Sequence, residues 1–464
     1  MKEGFSMPQF AISDLKPGAT VHMIGIGGIS MSALAHMLLD LGYRVTGSDA
    51  NTSRLTDSLE ESGATIYIGQ SAENIQNPDL VCYTAAISAT NPELLKARTL
   101  NVPVMERAEL LGALMKLYRY PIAVAGTHGK TTTTSMLSLV LLEADTDPTI
   151  LVGGELPQIS GNFRIGKKDY LPFEACEYVE SFLYFHPYLS IITNVEEDHL
   201  DYFSDINHII TSFRKFASLT SPSGCIIVCS DDKHACQVVQ NTDKKVVFYG
   251  LQETNSDYTA RNLVIDKSGY PHFTVLHNGE TLVDLDLKVA GTHNILNALA
   301  VTAAADFLGL SMDAVKRGLE SFTGTKRRFE HLGKIGGCEI VDDYAHHPTE
   351  IRATLESAKG MDYKDIWVVF QPHTYSRTKS LLHEFAEVLP LADHVLIADI
   401  YPAREVYDGT IHSCDLAFLI PDAIYMSDMS AIARYLKEQV KPGDLLITMG
   451  AGNVNKIAYE LLGE

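Results

Sequence analysis

The sequence predicts an α/β protein of three domains, two of them doubly wound parallel sheets and the middle one carrying an added β ribbon. Short apolar strands alternate with helical stretches, which is the pattern of a parallel sheet wrapped by helices. This alternation restarts twice along the chain. The length of 464 residues also exceeds one ordinary core and suggests about three domains.

The first domain is predicted to cover residues 1–105. VHMIGIGG, YRVTGSD, ATIYIG and LVCYTAA have the composition of strands, and SMSALAHMLLDLG has helical spacing. The helical segment ERAELLGALMKLY, which begins at Glu106, then leads to a fresh strand, PIAVAG. We therefore place the first boundary near Glu106.

The central domain is predicted over 106–325 and the C-terminal domain over 326–464. A helix at Lys130–Glu143 and strands DYLPFEACEY and LSIITN follow PIAVAG, while KVVFYG and 258–289 are predicted β ribbons. Helices at about 293–308 and 311–320 close the domain. In the last domain IVDDYA, DIWVVFQP, HVLIADIYP and DLLITMGAG alternate with helices YSRTKSLLHEFAEVL and SAIARYLKEQV.

Composition excludes several classes of partner. Asp and Glu number 58 against 37 Lys and Arg, a net charge of −21, which argues against nucleic acid and anionic membranes as partners. The chain shows neither the apolar core of a signal peptide nor a run of 18 apolar residues, so we expect a cytoplasmic protein without membrane insertion. No obligate protein partner is evident.

A cysteine and histidine group overlaps the strand-like stretch GCIIVCSDD. Its members are Cys225, Cys229, His234 and Cys236, and their spacing matches no common zinc pattern. We interpret them as buried strand cysteines, and the seven cysteines as reduced thiols.

A phosphate-binding loop is the strongest signal. An apolar strand, a glycine-bounded turn and a helix start follow one another through Gly126, Thr127, His128, Gly129, Lys130, Thr131 and Thr132. Backbone N–H groups at such a helix start bind phosphate, Lys130 can reach the terminal phosphates and Thr131 can ligate Mg²⁺. Val124 stands where the usual pattern has its first glycine. The motif predicts ATP binding.

A second glycine-rich loop lies near the N-terminus. Gly25, Gly27, Gly28 and Ser30 follow a strand and open a helix, and Asp49 ends the next strand. This is the geometry of a diphosphate site, which a nicotinamide dinucleotide or a UDP-sugar would satisfy equally, and a structural turn is the third reading. The ATP-type loop favours the UDP-sugar, because a dehydrogenase has no use for it.

Polar residues follow the strands next to the phosphate loop. Glu174 ends one strand, and Asn194 and His199 follow the next. Since carboxyl ends of parallel strands share one edge, these groups can converge on Mg²⁺, although Glu174 alone is as often a solvated acid. A later helix opens with a polar group that suits either an adenine edge or a helix cap: His293, Asn294 and Asn297.

The third domain adds cationic and carboxylate groups. Lys326, Arg327 and Arg328 form a basic cluster that suits ATP phosphates, or else a solvated charge run. A strand ends in the run Asp342, Asp343, Tyr344, Ala345, His346, His347 and Pro348. Arg377 lies near a histidine and suits an amino-acid carboxylate, because its fork binds at two points.

The order of these motifs resembles the Mur ligase family over nearly the whole chain. The resemblance rests on the phosphate loop, Glu174, Asn194 with His199, His293-Asn294-x-x-Asn297, Arg327-Arg328 and Asp343. It implies a Rossmann-like N-terminal domain that binds UDP, a P-loop ATPase-like central domain and a smaller Rossmann-like domain with the amino-acid site. The motifs at 25–32, 47–49 and 342–348 are similar to the branch that adds L-alanine to UDP-N-acetylmuramate in peptidoglycan precursor synthesis.

The resemblance also implies roles. ATP would contact the phosphate loop, Asn194, His293, Asn294, Asn297, Arg327, Arg328 and Asp343. Mg²⁺ would be held by Thr131, Glu174 and His199, with Lys130, Glu174 and His199 as the catalytic residues. Substrates would contact Gly25, Gly27, Gly28, Ser30, Asp49, His128, Tyr344, His347 and Arg377.

Two positions depart from the wider family. Sister ligases carry a carbamylated lysine where Phe213 falls here, and the L-alanine-adding branch is similar in lacking it. Asn453 stands where relatives more often have Asp. A ligase that recycles peptides onto the same sugar nucleotide remains an alternative, since the sequence does not size the amine pocket. Folate polyglutamation, a dehydrogenase and a non-catalytic nucleotide switch explain fewer of the motifs.

Overall fold

The computed structural model describes residues 12, 15–84, 86–252 and 255–463. Its first sheet has five parallel strands in the order β3-β2-β1-β4-β5. The strands are β1 (Thr20–Ile24), β2 (Arg44–Asp49), β3 (Thr65–Ile68), β4 (Leu80–Tyr83) and β5 (Val104–Glu106). Helices α1 (Ile29–Asp40), α2 (Arg54–Glu61) and α3 (Pro92–Thr99) connect them. This confirms the Rossmann-like N-terminal sheet.

Helix α4 (Arg107–Met115) leads into a ten-stranded sheet of order β15-β14-β13-β12-β11-β10-β6-β9-β7-β8. The parallel strands at its centre are β6 (Tyr120–Ala125), β9 (Tyr170–Glu174), β10 (Leu189–Ile192), β11 (Cys225–Cys229) and β12 (Val246–Tyr249). One end carries β7 (Ile150–Leu156) and β8 (Gly161–Arg164), an antiparallel pair. The other carries the antiparallel ribbon β13 (Tyr258–Ile265), β14 (Pro271–His277) and β15 (Glu280–Asp286).

One prediction for this sheet is wrong. KVVFYG was expected as ribbon, but β12 pairs parallel to β11 and so extends the parallel sheet. Side chains of β12 pack against the central core, so burial decided the pairing. The ribbon is confined to β13–β15.

The central helices are α5 (Lys130–Glu143), α6 (Ile206–Ser218), α7 (Lys233–Val238), α8 (Thr292–Phe307) and α9 (Met312–Ser321). α5 begins and ends at the predicted residues and is buried along most of its length. Buried side chains of α5, α8 and α9 share one apolar core with the sheet. The phosphate loop is therefore attached to a helix that is packed on several sides.

The third sheet has six strands in the order β16-β17-β21-β18-β19-β20. They are β16 (Glu330–Ile335), β17 (Cys338–Asp343), β18 (Ile366–Phe370), β19 (His394–Ile397), β20 (Ile424–Tyr425) and β21 (Leu445–Met449). All pair in parallel except β16, which forms an unpredicted hairpin with β17. The helices are α10 (Pro348–Lys359), α11 (Tyr375–Ser380), α12 (Leu382–Val388), α13 (Ser413–Leu419), α14 (Met429–Gln439) and α15 (Asn455–Leu462).

The stretch YSRTKSLLHEFAEVL, predicted as one helix, is two. Leu381 separates α11 from α12 with φ −113° and ψ 24°, outside the helical range. Its N–H still bonds to the carbonyl of Arg377, so the chain turns at Leu381 without losing that bond. The expectation of a single helix is therefore wrong.

The cysteine group behaves as expected of buried strand residues. Cys225 and Cys229 are buried at the two ends of β11, and Cys236 lies on α7. These residues form no metal-binding group with His234 within the described ranges. No helix in the described part of the chain is long and apolar enough to cross a membrane.

Helix α9 approaches the phosphate-loop helix so closely that Gly318 has no room for a side chain. A Cβ at Gly318 would lie 2.6 Å from the backbone N and Cα of Val140 in α5. We expect Gly318→Ala to lower the free energy of unfolding by about 1–3 kcal/mol, because two packed helices must separate. Gly161→Ala is the control, since a Cβ there meets nothing within 4 Å. Denaturant unfolding measures both, and equal stabilities would contradict the close packing.

Candidate active site

Three neighbouring parallel strands bring the predicted groups to one edge of the central sheet. β10 and β9 flank β6, and the phosphate loop follows β6. Glu174 ends β9, and residues 193–199 follow β10. The loop reaches α5 through Gly126 at φ 141° and Gly129 at φ 83°, conformations that glycine adopts without a steric penalty.

Asn194 fixes the shape of the phosphate loop. Its Oδ1 accepts the N–H of His128 at 2.8 Å, and its Nδ2 donates to the carbonyl of His128 at 3.1 Å. The carbonyl of Asn194 accepts the N–H of Thr127 at 3.0 Å, and the hydroxyl of Thr193 donates to the carbonyl of His128 at 2.6 Å. The residue predicted to touch ATP thus shapes the loop that would hold it.

Lys130 is held by a buried carboxylate. Its Nζ lies 3.1 and 3.2 Å from the two oxygens of Glu177 and also donates to the carbonyls of Gly126 and Thr127. Burial opposes the charge, but Glu177 outweighs burial and raises the pKa of Lys130. Sequence reasoning missed Glu177, although its place in the run EACE, three residues after Glu174, was a signal.

Glu174 and Thr131 meet beside the loop. The Thr131 hydroxyl donates to Glu174 Oε2 at 3.0 Å, and the Gly153 N–H donates to Oε1 at 2.5 Å. Burial raises the pKa of Glu174, although these bonds oppose the shift. A partly buried carboxylate next to a threonine hydroxyl is an oxygen pair suited to a hard cation. His199, with φ 53°, does not share this oxygen pair. Its ring packs against Tyr178, with 4.6 Å between the ring centroids.

A cavity of about 310 Å³ lies between the central and C-terminal domains, next to this edge. Its walls include His128, Gly129, Thr131, Thr132, Asn194, His293, Asn294, Asn297, Arg328 and Asp343, all of them predicted. Burial and then Arg328 lower the pKa of His293 to about 4, so its ring is neutral near pH 7. Burial raises the pKa of Asp343 to about 6.

The two asparagines of α8 are not helix caps. The cap position is Gly291, and no side chain caps this helix. Asn294 donates to the carbonyl of Ala290 at 2.6 Å, and Asn297 accepts from the Thr133 hydroxyl at 3.1 Å. They therefore connect the start of α8 to the phosphate-loop helix α5.

The basic cluster separates in the structure. Arg327 donates to Asp342 at 2.8 Å and to the carbonyls of Gly450 and Gly452, all within the C-terminal domain. Lys326 pairs with Glu155. Of the three, Arg328 alone lines the cavity, 3.4 Å from Glu350. The structure thus places Arg328 at the site and Arg327 outside its walls.

The predicted amino-acid residues lie where the two domains meet. The Arg377 guanidinium donates to Asp198 at 2.7 and 3.2 Å and lies 3.1 Å from His373 Nδ1. His347 donates from Nε2 to the carbonyl of Glu197 at 3.2 Å, and Thr349 donates to Glu196 at 2.6 Å. Tyr344 lies under both Arg327 and Arg328. Sequence reasoning singled out none of Glu196, Asp198 and Glu350 as a site residue.

The N-terminal loop is tied to its neighbouring strand. Asp49 Oδ2 accepts the N–H of Gly27 at 2.9 Å, and Gly25 has φ 80°. Gly28 is the N-cap residue of α1, and no side chain makes a capping hydrogen bond there. Ser30 is exposed in the first turn. The loop therefore lies open at the carboxyl edge of its sheet, between β1 and β4, where the strand order reverses.

Three α/β sheets with a phosphate loop at a domain junction define a multidomain nucleotide-dependent enzyme. Family models for the Mur ligase catalytic domain, middle domain and glutamate ligase domain match residues 20–119, 124–305 and 327–452. The chain belongs to the Mur ligase family, whose members are ATP-dependent ligases.

Similar proteins carry more specific names. The UDP-N-acetylmuramate–L-alanine ligase of Acetivibrio thermocellus is 51% identical over 98% of both chains. That of Alkaliphilus metalliredigens is 50% identical over 96% of this chain and 97% of its own. The crystal structure of the Thermotoga maritima UDP-N-acetylmuramate–alanine ligase covers 96% of this chain and 98% of its own, with TM-score 0.79 and 31% identity. A murein peptide ligase from Psychrobacter arcticus, with the same coverages, has TM-score 0.73 and 28% identity.

The Arg377–Asp198 contact predicts a pH dependence of stability. Burial alone would raise the pKa of Asp198, but His199 and Arg377 outweigh it and hold the pKa below its ordinary value of 3.8. A lowered pKa stabilises the fold above the unfolded value and loses that stabilisation as the pH falls. We expect thermal unfolding of the protein and of Asp198→Asn to differ by a constant amount above about pH 5 and by less below about pH 4. A difference independent of pH down to 3 would contradict this.

Proposed function

We propose that the chain joins L-alanine to the lactyl carboxylate of UDP-N-acetylmuramate with hydrolysis of ATP to ADP and phosphate, the first amino-acid addition in cytoplasmic peptidoglycan precursor synthesis. The observation that carries the proposal is the phosphate loop with Lys130, Thr131 and Glu174, facing a cavity of about 310 Å³ at the junction with the C-terminal domain. Relatives about 50% identical over nearly the full chain bear the corresponding name.

We propose domain boundaries at 1–105, 106–325 and 326–464, with one substrate on each domain. The N-terminal loop with Gly25, Gly27, Gly28, Ser30 and Asp49 would bind the UDP part. ATP would occupy the 310 Å³ cavity, with adenine near the neutral His293 and the phosphates near Gly129 and Arg328. Tyr344, His347 and Arg377 would lie near the amino acid.

The first step transfers the γ-phosphoryl group. A lactyl carboxylate oxygen attacks the γ-phosphorus, the bond from phosphorus to the β-phosphate oxygen breaks, and acyl phosphate and ADP form. Lys130 exchanges Glu177 for phosphate oxygens and stabilises the charge there. In the second step the alanine amine attacks the acyl carbon, loses a proton, and the tetrahedral intermediate expels phosphate.

Mg²⁺ fits the residues present. The Thr131 hydroxyl and the Glu174 carboxylate already lie 3.0 Å apart beside the loop, and both offer oxygen. These two residues would hold the ion, with His199 as a third ligand after a change of position. The ion would supply charge neutralisation for the phosphates. Two features would position the reactants: the shape of the phosphate loop, which Asn194 holds, and the contact between the domains.

Phosphate release tests the proposal. With ATP, Mg²⁺ and UDP-N-acetylmuramate, we expect release that depends on L-alanine, and a product heavier by one alanine residue in mass spectrometry. Release with a tripeptide but not with L-alanine would assign the chain to peptide ligation, as in the name of the Psychrobacter arcticus murein peptide ligase. Absence of release with every acceptor would overturn the sugar-nucleotide assignment.

Loss of the loop lysine tests the phosphate site. Lys130→Ala should lower turnover at least about 10²-fold, because a transition-state charge contact is lost. Lys437→Ala is the control, since that side chain is exposed in the last turn of α14 and does not line the cavity. Steady-state phosphate release measures both. Equal turnover in the two variants would remove the phosphate-loop assignment.

A further inference from the structure

Two histidines and a glutamate converge at the junction of the central and C-terminal domains. His128 Nε2 lies 3.5 Å from Glu196 Oε2, and His347 Nδ1 lies 3.8 Å from the same oxygen. All three atoms lie within 4.8 Å of one another, and within the described residues no other such group of three occurs. Two of the residues come from the central domain and one from the C-terminal domain.

The surroundings of His128 leave its Nε2 free. His128 Nδ1 lies 3.2 Å from Glu350 Oε1, which places a proton on Nδ1. His128 Nε2 is buried and has no hydrogen-bond partner in the described part of the chain. A carboxylate on one ring nitrogen and an open second nitrogen is the arrangement of metal-binding histidines.

His347 also has one ring nitrogen bonded to an oxygen, and its second nitrogen lies at the start of α10. Its Nε2 donates to the carbonyl of Glu197 at 3.2 Å, so the proton is on Nε2. Its Nδ1 accepts a long bond of 3.4 Å from the N–H of Thr349, as an unprotonated nitrogen does. The lone pair of Nδ1 thus lies near the Glu196 carboxylate. When His128 Nε2 carries neither a proton nor a metal ion, two nitrogen lone pairs face the Glu196 carboxylate and repel it.

We propose that His128, Glu196 and His347 bind a divalent cation of the zinc type, which pins the C-terminal domain to the end of the phosphate loop. Zinc sites combine imidazole and carboxylate ligands at about 2.0–2.2 Å, so tetrahedral ligand atoms lie about 3.4 Å apart. The two observed distances to Glu196, 3.5 and 3.8 Å, are close to this spacing. Glu350 and the Glu197 carbonyl orient the rings, and a fourth position stays open to water.

The donor set separates this site from the Mg²⁺ site. Two imidazole nitrogens suit zinc, cobalt and nickel, whereas Mg²⁺ prefers an all-oxygen set such as Thr131 and Glu174. A proton on His128 Nε2, with its pKa raised to about 9 because Glu350 and Glu196 outweigh burial, is the competing cation. With this assignment His347 would lie near the amino acid as a ligand of the metal, and the site does not depend on the identity of the substrates.

Cobalt binding tests the proposal without nucleotide or activity. The protein is titrated with Co²⁺ in a Cys414→Ser background, because Cys414 is an exposed thiol. We expect one equivalent with the visible absorption of tetrahedral cobalt, competed by Zn²⁺ but not by equal Mg²⁺. Glu196→Gln and His347→Asn should weaken binding more than about 10-fold. The matched Glu174→Gln variant should keep it.

Three outcomes would overturn the site: no cobalt absorption in the parent protein, absorption that survives both Glu196→Gln and His347→Asn, or loss of it in Glu174→Gln. Hydrogen exchange on the parent protein gives a second measurement, should a variant not fold. One equivalent of Zn²⁺ should slow amide exchange at 196–199 and 345–350, and equal Mg²⁺ should not. Unchanged exchange with Zn²⁺ would show that the two domains are joined by the protonated ion pair alone.

Discussion

The structure depends on the clamp that Asn194 and Thr193 apply to the phosphate loop. The loop turns through two glycines with positive φ, where no Cβ restricts the backbone, so it needs bonds from outside to keep its shape. Hydrogen bonds from the end of β10 to His128 supply that restraint. Because β6 and β10 are hydrogen-bonded neighbours, the register of the sheet sets the loop position. Lys130, Thr131 and the cavity walls follow from it.

Much of this could be predicted from sequence because it is local. The strand, loop and helix from Tyr120 to Glu143 follow from apolar runs and glycines, and the helix bounds agree with the prediction. The convergence of Glu174 and Asn194 followed from a general rule about parallel strands. KVVFYG was misassigned because strand direction is a long-range property that a short apolar run does not encode. The helix break at Leu381 was likewise not predicted, because no glycine or proline lies in that stretch of sequence.

Sequence reasoning mainly missed the acidic residues that pair with basic side chains of the site, for a physical reason. Glu177, Glu196, Asp198 and Glu350 acquire meaning only when a cation from another element lies beside each. In sequence they resemble any of the 58 acidic residues. Arg327 and Arg328 show that identical neighbours in sequence can have different surroundings. Arg327 bonds to Asp342, whereas Arg328 lines the cavity. Contacts between elements that are distant in sequence are thus what sequence reasoning predicts least well.

The resting ion pair of Lys130 has a consequence for nucleotide exchange. Glu177 is 4% exposed and already satisfies the lysine that would meet the phosphates. Under the proposed function, an incoming nucleotide would have to displace this internal anion. Part of its interaction energy would then break an existing contact, and its affinity would be lower than with an unpaired lysine. The same anion recaptures the lysine as a spent nucleotide departs. An enzyme built in this way trades tight nucleotide retention for rapid product release.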